Sequence, residues 1–461
     1  MKKFIVIVVS SVFLLVSTQA ATVLTSDWDD VVYGRCSDQN TAWWSSAEAI
    51  RVAENVLLYQ KQCGGWPKNI NMQVLLTQQQ KDSLLATQTN NAGATIDNEA
   101  VKLELKYLSK VYAAITDDVL KQTYKTAFLN GIDYLLEAQY ENGGWPQFYP
   151  YRGGYSDHIT YNDNAMLNVM NTLRAIYSQS SEYSIPVEEP RLSQAKTAFD
   201  KGIDCILNTQ YVQNGKLTAW CAQHHYLTLQ PVMARSYELA SLSGYESKAI
   251  AQMLMSIENP SFEIRRAIYA AASWYQQVAL KGIRLESFTN TDGLSDKRVV
   301  QDPAAPDLWA RFYTLDTNTP FFCDRDGIIK YSLAEIGYER RTGYSWYTNV
   351  GLSVITNYES WFPVNGNASE RDAVLLNNKE NTTLKTVLCY PNPAQTSFSI
   401  DLKKIGPAKI EIYNLTGKLV YTDYAVKDTH TVITHQLTQG TYVVKVFDIQ
   451  HKLYSQKIIM Q

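Results

Sequence analysis

The chain has 461 residues, 45% of them apolar and 12% aromatic, with a formal net charge of −3. That length suits two to three domains, or one large domain with an appendage, and the near-neutral balance excludes the broad basic surface that nucleic-acid binding needs. An anionic polymer would require a local cationic cleft or a bound cation; the arginines, whose planar forks suit carboxylates, all lie at or before Arg371.

In chain order, Lys2 and Lys3 precede an apolar run over residues 4–16 and the small-x-small site Thr18-Gln19-Ala20. This pattern predicts an export signal over residues 1–20, and no apolar run is long enough to span a bilayer. The six cysteines lack the CxxC spacing of a metal site; they leave fifteen pairings open, with free buried thiols the alternative. An internal echo follows. Cys63-Gly64-Gly65-Trp66-Pro67 returns as Asn142-Gly143-Gly144-Trp145-Pro146, and more weakly as the stretch from Gly215 to Trp220. Each copy closes an apolar-periodic segment. Residues 100–112 and 165–177 also carry the helical spacing, and residues 250–278 read as further helix. Helical hairpins that repeat cannot bury their faces alone, so the expectation is a mainly α chain whose catalytic domain, residues 21–364, is an α/α toroid with its Gly-Gly turns at one end. Gly lets a backbone approach a ligand closely, and Trp145 beside it would supply a rigid aromatic for a sugar.

Residues 289–349 lose the helical period and read as long ordered loops. Residues 365–386 are polar and read as a linker. From residue 387 to 461 short alternating runs, such as those around Phe398, Ile410 and Val444, are broken by turn signals at Asn414 and Gly440; this predicts a small all-β sandwich.

The chemistry-bearing residues fall in clusters. Thr95-Ile96-Asp97-Asn98-Glu99 and Tyr161-Asn162-Asp163-Asn164 each precede a predicted helix. One such cluster is ordinarily a helix cap; two at matching places beside Gly-rich turns offer carboxylate and amide oxygens, the hard ligands of calcium. The stretch 220–247 is the densest polar segment and carries Arg235 at a predicted helix start, with His224–His225 a weak zinc alternative. Arg311 and Arg325 lie among aromatics and acids, and read either as carboxylate clamps or as structural ion pairs.

The Gly-Gly-Trp-Pro copies, Asp97-Asn98, Tyr161-Asn162-Asp163, the 220–247 run, Ile257-Glu258-Asn259-Pro260-Ser261, and the motifs around Arg311 and Arg325 together resemble the family-10 polysaccharide lyases, the pectate lyases, over about residues 48–361. The resemblance implies cleavage of polygalacturonate by β-elimination. Arg235 would be the base. Asp97, Asn98 and Asp163 would hold calcium, and Arg311, Arg325, Trp145 and Asn162 would bind substrate. Tyr390-Pro391-Asn392-Pro393, residues 412–418 and residues 437–442 resemble the C-terminal sorting domain of the type IX secretion system. That implies export by the type IX machinery, with the protein released or held at the outer surface; a monomer is expected. A glycoside hydrolase using Asp97 and Asp163, or a pectin-binding protein without catalysis, is the alternative.

Overall fold

The computed structural model describes residues 39–376, 385–414, 418–433, 437–448 and 453–461. The predicted export signal and Cys36 lie outside these residues. Eleven α-helices are described: α1 Ala47–Tyr59, α2 Gln78–Thr87, α3 Lys102–Ala114, α4 Asp118–Glu137, α5 Ala165–Tyr177, α6 Arg191–Thr209, α7 Glu246–Met255, α8 Phe262–Gln277, α9 Tyr338–Gly343, α10 Val350–Asn365 and α11 Ala368–Leu376. Local chemistry starts several of them. The side chains of Ser46, Asp117 and Ser261 accept from the amides of the second or third residues of α1, α4 and α8, and Thr77 with Gln80 forms a capping box on α2.

The repeat that the sequence hints at is explicit in the hydrogen bonds. The indole Nε1 of Trp66, Trp145 and Trp220 donates to the carbonyl of Val56, Leu135 and Ile206, each at 2.8 Å. The carbonyl of each tryptophan then accepts from Thr95, Thr160 and Ser243, just ahead of α3, α5 and α7. Trp309 is a fourth copy, donating to Tyr275 at 2.9 Å and lying opposite Thr348 ahead of α10. A glutamine stitches each copy to the next: the Nε2 of Gln60, Gln139 and Gln210 donates to its own turn and to Ala127, Ala198 and Ala267 on the following hairpin's helix. Glycine makes room for the rings, since a Cβ at Gly131 would meet the Trp66 ring at 2.9 Å and one at Gly202 the Trp145 ring at 3.2 Å.

Helices α1, α4, α6 and α8 form one layer and α3, α5, α7 and α10 the other, each packed on its neighbours, with α11 against α8. The expected toroid is corrected here. Among the described residues the substantial helix packings run along an open two-layer row, and none joins α1 to α8, α10 or α11. Nor is the chain mainly α: it is 40% helix and 22% strand. Short antiparallel pairs hold the site end of the row: Ile159–Thr160 with Gln223–His224, Leu242–Ser243 with Phe312–Tyr313, and Trp309–Ala310 with Tyr347–Thr348. The expected loops include a regular hairpin, Ile283–Thr289 with Ser295–Gln301, and a separate apolar core of Tyr237, Phe312, Phe322 and Trp346. The expected linker begins as helix α11, where Glu370 pairs with Arg265 at 2.8 Å.

The C-terminal strands form two sheets over one apolar core. The order in the larger is Lys385–Thr386, Leu453–Met460, Gly440–Asp448, Ala408–Asn414, Leu419–Ala425; the smaller joins Leu388–Tyr390, Ser397–Asp401 and Thr429–Ile433. Alternation puts Ile400, Ile410, Ile412, Val444 and Val446 inward. Among the described residues no helix is long and apolar enough to cross a membrane, and Cys63, Cys205, Cys221, Cys323 and Cys389 are free.

Candidate active site

The second residue of the hydrogen-bonded repeat leads into a short 3-10 turn, Asp97–Glu99 ahead of α3 and Asn162–Asn164 ahead of α5. Aligning the two copies on Thr95 and Thr160 pairs Asp97 with Asn162 and Asn98 with Asp163. The carboxylates are therefore offset by one position within the same turn. Both turns hold non-glycine residues in the left-handed region: Asn98 at φ 50°, Glu99 at 61°, Asp163 at 51° and Asn164 at 60°. Each costs about 1–3 kcal/mol and persists only where the surroundings impose it. The capping explanation does not apply, because neither α3 nor α5 receives a side-chain cap bond.

A cleft of about 760 Å³ opens over the two turns. Lys68, Asp97, Asn98, Gln147, Asn162, Asp163, Gln223, Arg235 and Glu238 line it. Asp97 is 3% exposed. Its Oδ2 pairs with the Lys68 ammonium and accepts from Gln147 Nε2 at 2.6 Å, while Oδ1 accepts from the Asn98 amide at 3.0 Å. Lys68 and Gln147 each follow the Trp-Pro pair of their repeat, a positional signal that sequence reasoning passed over. Asp163 is open to solvent over half its side chain and accepts from Asn162 Nδ2 at 2.7 Å.

Arg235 stands across the cleft in a tight turn rather than at a helix start: the Glu238 amide donates to the Arg235 carbonyl at 2.8 Å. Its guanidinium is half exposed and packs 4.8 Å over the Tyr237 ring. Nε donates to Glu238 Oε2 at 2.8 Å, and Nη2 donates to Oε1. The hydrogen bonds and charge of Glu238 push Arg235 well above the ordinary guanidinium range. Burial would raise Glu238, but Arg235 outweighs it and holds the carboxyl below its usual value. Nη1 is the guanidinium nitrogen that Glu238 leaves unengaged.

Of the other expected substrate contacts, the structure corrects Trp145 and shows what surrounds Arg311 and Arg325. Trp145 is fully buried, its ring seated over Gly202 and its N–H spent on Leu135; it is core. Arg311 does not line the cleft. It is sandwiched between the Tyr245 and Tyr344 rings at 4.7 and 4.5 Å, donates to the buried Glu246 at 2.6 Å, and reaches Asn162 Oδ1 at 3.4 Å from behind. Burial opposes its charge, and Glu246, Tyr344 and Asp163 together keep it protonated. Arg325 lies on an exposed loop and spends both arms on Glu339 at 2.9 and 3.0 Å. His224 is a core histidine, its Nδ1 against the Leu229 carbonyl and its Nε2 accepting from the Cys221 amide. Among the described residues no group of three or more His, Cys, Asp and Glu is disposed to hold a metal ion. The protein's share of any cation site here is carboxylate and amide oxygen from the two turns.

The arrangement brings a guanidinium held by Glu238 and two oxygen-rich turns into the lining of one cleft. The model of the pectic acid lyase family matches residues 60–355, and that of a secretion system C-terminal sorting domain matches residues 388–461. Among solved structures, a family 10 polysaccharide lyase from Cellvibrio cellulosa is 34% identical, covering 73% of this chain and 98% of that one with a TM-score of 0.58. A mutant of a Cellvibrio cellulosa family 10 lyase, solved in complex with trigalacturonic acid, is also 34% identical, covering 69% of this chain and 95% of that one with a TM-score of 0.57. The curated ulvan lyase of Nonlabens ulvanivorans is 33% identical over 91 residues, 18% of this chain. The chain spans only 17% of that protein's length.

Proposed function

The chain belongs to the pectic acid lyase family, the family 10 polysaccharide lyases, and on that premise we propose that it cleaves α-1,4-linked polygalacturonate to 4,5-unsaturated oligogalacturonides, with Arg235 as base and calcium as cofactor. It carries a C-terminal sorting domain over residues 388–461, which sends it by the type IX route to the cell surface or outside. The observation that carries the proposal is the Arg235 guanidinium standing across one cleft from Asp97, Asn98, Asn162 and Asp163. The relative bound to trigalacturonic acid supports galacturonate over ulvan as substrate, since the ulvan lyase match spans under a fifth of this chain.

In this mechanism Arg235 Nη1 takes the C5 proton of a galacturonate unit. The C5 electron pair forms the C4–C5 double bond, the C4–O4 bond breaks, and O4 leaves with a proton from water. Glu238 fixes the guanidinium plane through two parallel hydrogen bonds and leaves Nη1 for the substrate, with few accessible rotamers. The same pair disfavours the neutral base, and the rate should therefore rise with pH into the alkaline range. Lys68 and Gln147 fix Asp97, and Arg311 fixes Asn162 from behind; both act by positioning. The oxygen-only donors Asp97, Asn98 and Asp163 fit calcium in type. When bound there, calcium supplies charge that neutralises the uronate carboxylate and so acidifies the adjacent C–H.

The test is the near-ultraviolet absorbance of polygalacturonate digests, with ulvan in parallel. Chelator should abolish the signal and added calcium restore it. Full activity in excess chelator would remove calcium, and activity on ulvan alone would replace the substrate.

A further inference from the structure

Beyond the cleft, the loop that follows Gln147 carries a cation and aromatic faces that the elimination does not use. Arg152 is exposed, and its guanidinium lies 4.1 Å over the Phe148 ring. No carboxylate of the described residues pairs with it, although most of the site's other arginines are paired. Phe148 also receives the ammonium of Lys68, which lines the cleft, at 5.8 Å. The exposed cation is thus one ring away from the cleft wall. Tyr155, 43% exposed, lines the cleft itself three residues further on.

The loop is built to hold this display. Asp157 accepts from the amides of Arg152 and Gly153 at 3.0–3.1 Å, and the Ser156 hydroxyl donates to the Gly153 carbonyl. The Gln147 amide donates to the Ser156 carbonyl at 2.9 Å, closing the loop at its base. Tyr151 is rooted by stacking on Tyr140, with ring centroids 5.5 Å apart and planes 4° from parallel. Gly153 and Gly154, at φ 84° and 73°, make the turn between the cation and Tyr155. A guanidinium held over one ring, with a second aromatic nearby, matches a hexuronate in both its parts: carboxylate to the planar fork, and pyranose C–H face to the tyrosine. Desolvation of an unpaired exposed arginine costs little, so the carboxylate has no internal competitor to displace.

We propose that the 148–155 loop is a remote subsite for one uronate unit of a chain threaded through the cleft, with Arg152 taking its carboxylate and Tyr155 its ring face. The proposal deepens the uronan-lyase reading and rests on it for the identity of the chain. It predicts that the enzyme favours longer oligomers, and that this preference is carried by charge at position 152.

The experiment compares wild type with Arg152→Ala, Arg152→Lys and Tyr155→Ala. It measures kcat/KM on trigalacturonate and hexagalacturonate, and calorimetric affinity for hexagalacturonate and its fully methyl-esterified form. Arg152→Ala should lower the hexamer-to-trimer ratio of kcat/KM about tenfold, the scale of one lost charge-assisted hydrogen bond. The loss should fall on the acidic hexamer and not on its ester, with Lys restoring part of it. A ratio in Arg152→Ala equal to that of wild type overturns the subsite, as does an equal loss on acid and ester. If the wild-type enzyme cleaves no galacturonan, the lyase reading fails by itself, and calorimetry decides the loop. Weaker hexamer binding by Arg152→Ala then supports it, and equal binding, or none by wild type, overturns it.

Discussion

The turns Asp97–Glu99 and Asn162–Asn164 are the same backbone device put to two uses. Both follow a residue bonded to a repeat tryptophan, and both bend through left-handed, non-glycine residues just ahead of a helix of the same layer, α3 or α5. In the first the carboxylate is 3% exposed and fully engaged by Lys68, Gln147 and the Asn98 amide. In the second it is displaced by one residue, half exposed, and backed by Arg311 through Asn162. The difference teaches that a repeat can supply a scaffold twice while a one-residue shift divides the labour. Both carboxylates line the cleft, one buried against an internal cation and the other half open to solvent.

The comparison can be sharpened by changing what each turn faces. The largest expected effect lies opposite both, at Arg235. Arg235→Ala and Arg235→Lys should each lower kcat by about a hundredfold or more, the range for a lost general base, while calorimetric affinity for trigalacturonate stays within about threefold. Loss of affinity without loss of kcat would make Arg235 a clamp. Next comes Asp163→Ala, which should raise the calcium concentration for half-maximal rate by about tenfold or more. Asp97→Asn should act differently, lowering thermal stability as well, since it leaves the ammonium of Lys68 without its buried partner. If the two variants behave alike in both calcium titration and melting temperature, the division of labour is wrong.

A smaller effect tests the support beneath the first turn. Glu104 is buried at the start of α3, with one carboxylate oxygen lacking any partner; burial first, and the charge of Glu99, raise it to about 8 against hydrogen bonds from nearby amides that lower it. A carboxyl raised in the folded state binds a proton that the unfolded chain has released. Between about pH 4.5 and 8 the native state thus holds more protons, and stability falls as pH rises through that window. Glu104→Gln should remove part of this fall, narrowing the drop in melting temperature between pH 5 and pH 8 by on the order of 5 °C. An unchanged slope would show that Glu104 does not titrate there. The smallest effect on catalysis should come from deleting residues 387–461: turnover within about twofold of the full chain, with export lost. A truncated chain with impaired turnover would make the C-terminal sheets part of the catalytic unit.

Much of this was legible from local pattern, and what was not depended on long-range contacts. Helix α5 spans the residues its period indicates, and α3 lies within two residues of its expected bounds, because amphipathic spacing is a local signal. The inward alternation of the C-terminal strands was equally readable. The fourth repeat was not, because Trp309 lacks the Gly-Gly turn that marks the first two; only its bond to Tyr275 reveals it. Trp145 read as a sugar platform because an aromatic beside Gly-Gly suits an open cleft as well as a core; Gly202, distant in sequence, decides for the core. Arg311 and Arg325 read alike, yet Glu246 and Glu339 separate them into a buried support and an exposed surface pair. The toroid failed for a related reason: repeat period predicts stacking between neighbours, and says nothing about whether the ends meet.

The central claim, elimination rather than hydrolysis on a galacturonan, is tested most directly by mass spectrometry of the products that the wild-type enzyme makes from polygalacturonate with calcium present. The account predicts that each cleavage yields one oligouronide lighter by one water than its hydrolytic counterpart and absorbing in the near-ultraviolet, and that these unsaturated products are absent when Arg235→Lys replaces the wild type. Exclusively saturated oligouronides of full hydrolytic mass, or unsaturated products undiminished in Arg235→Lys, would contradict it.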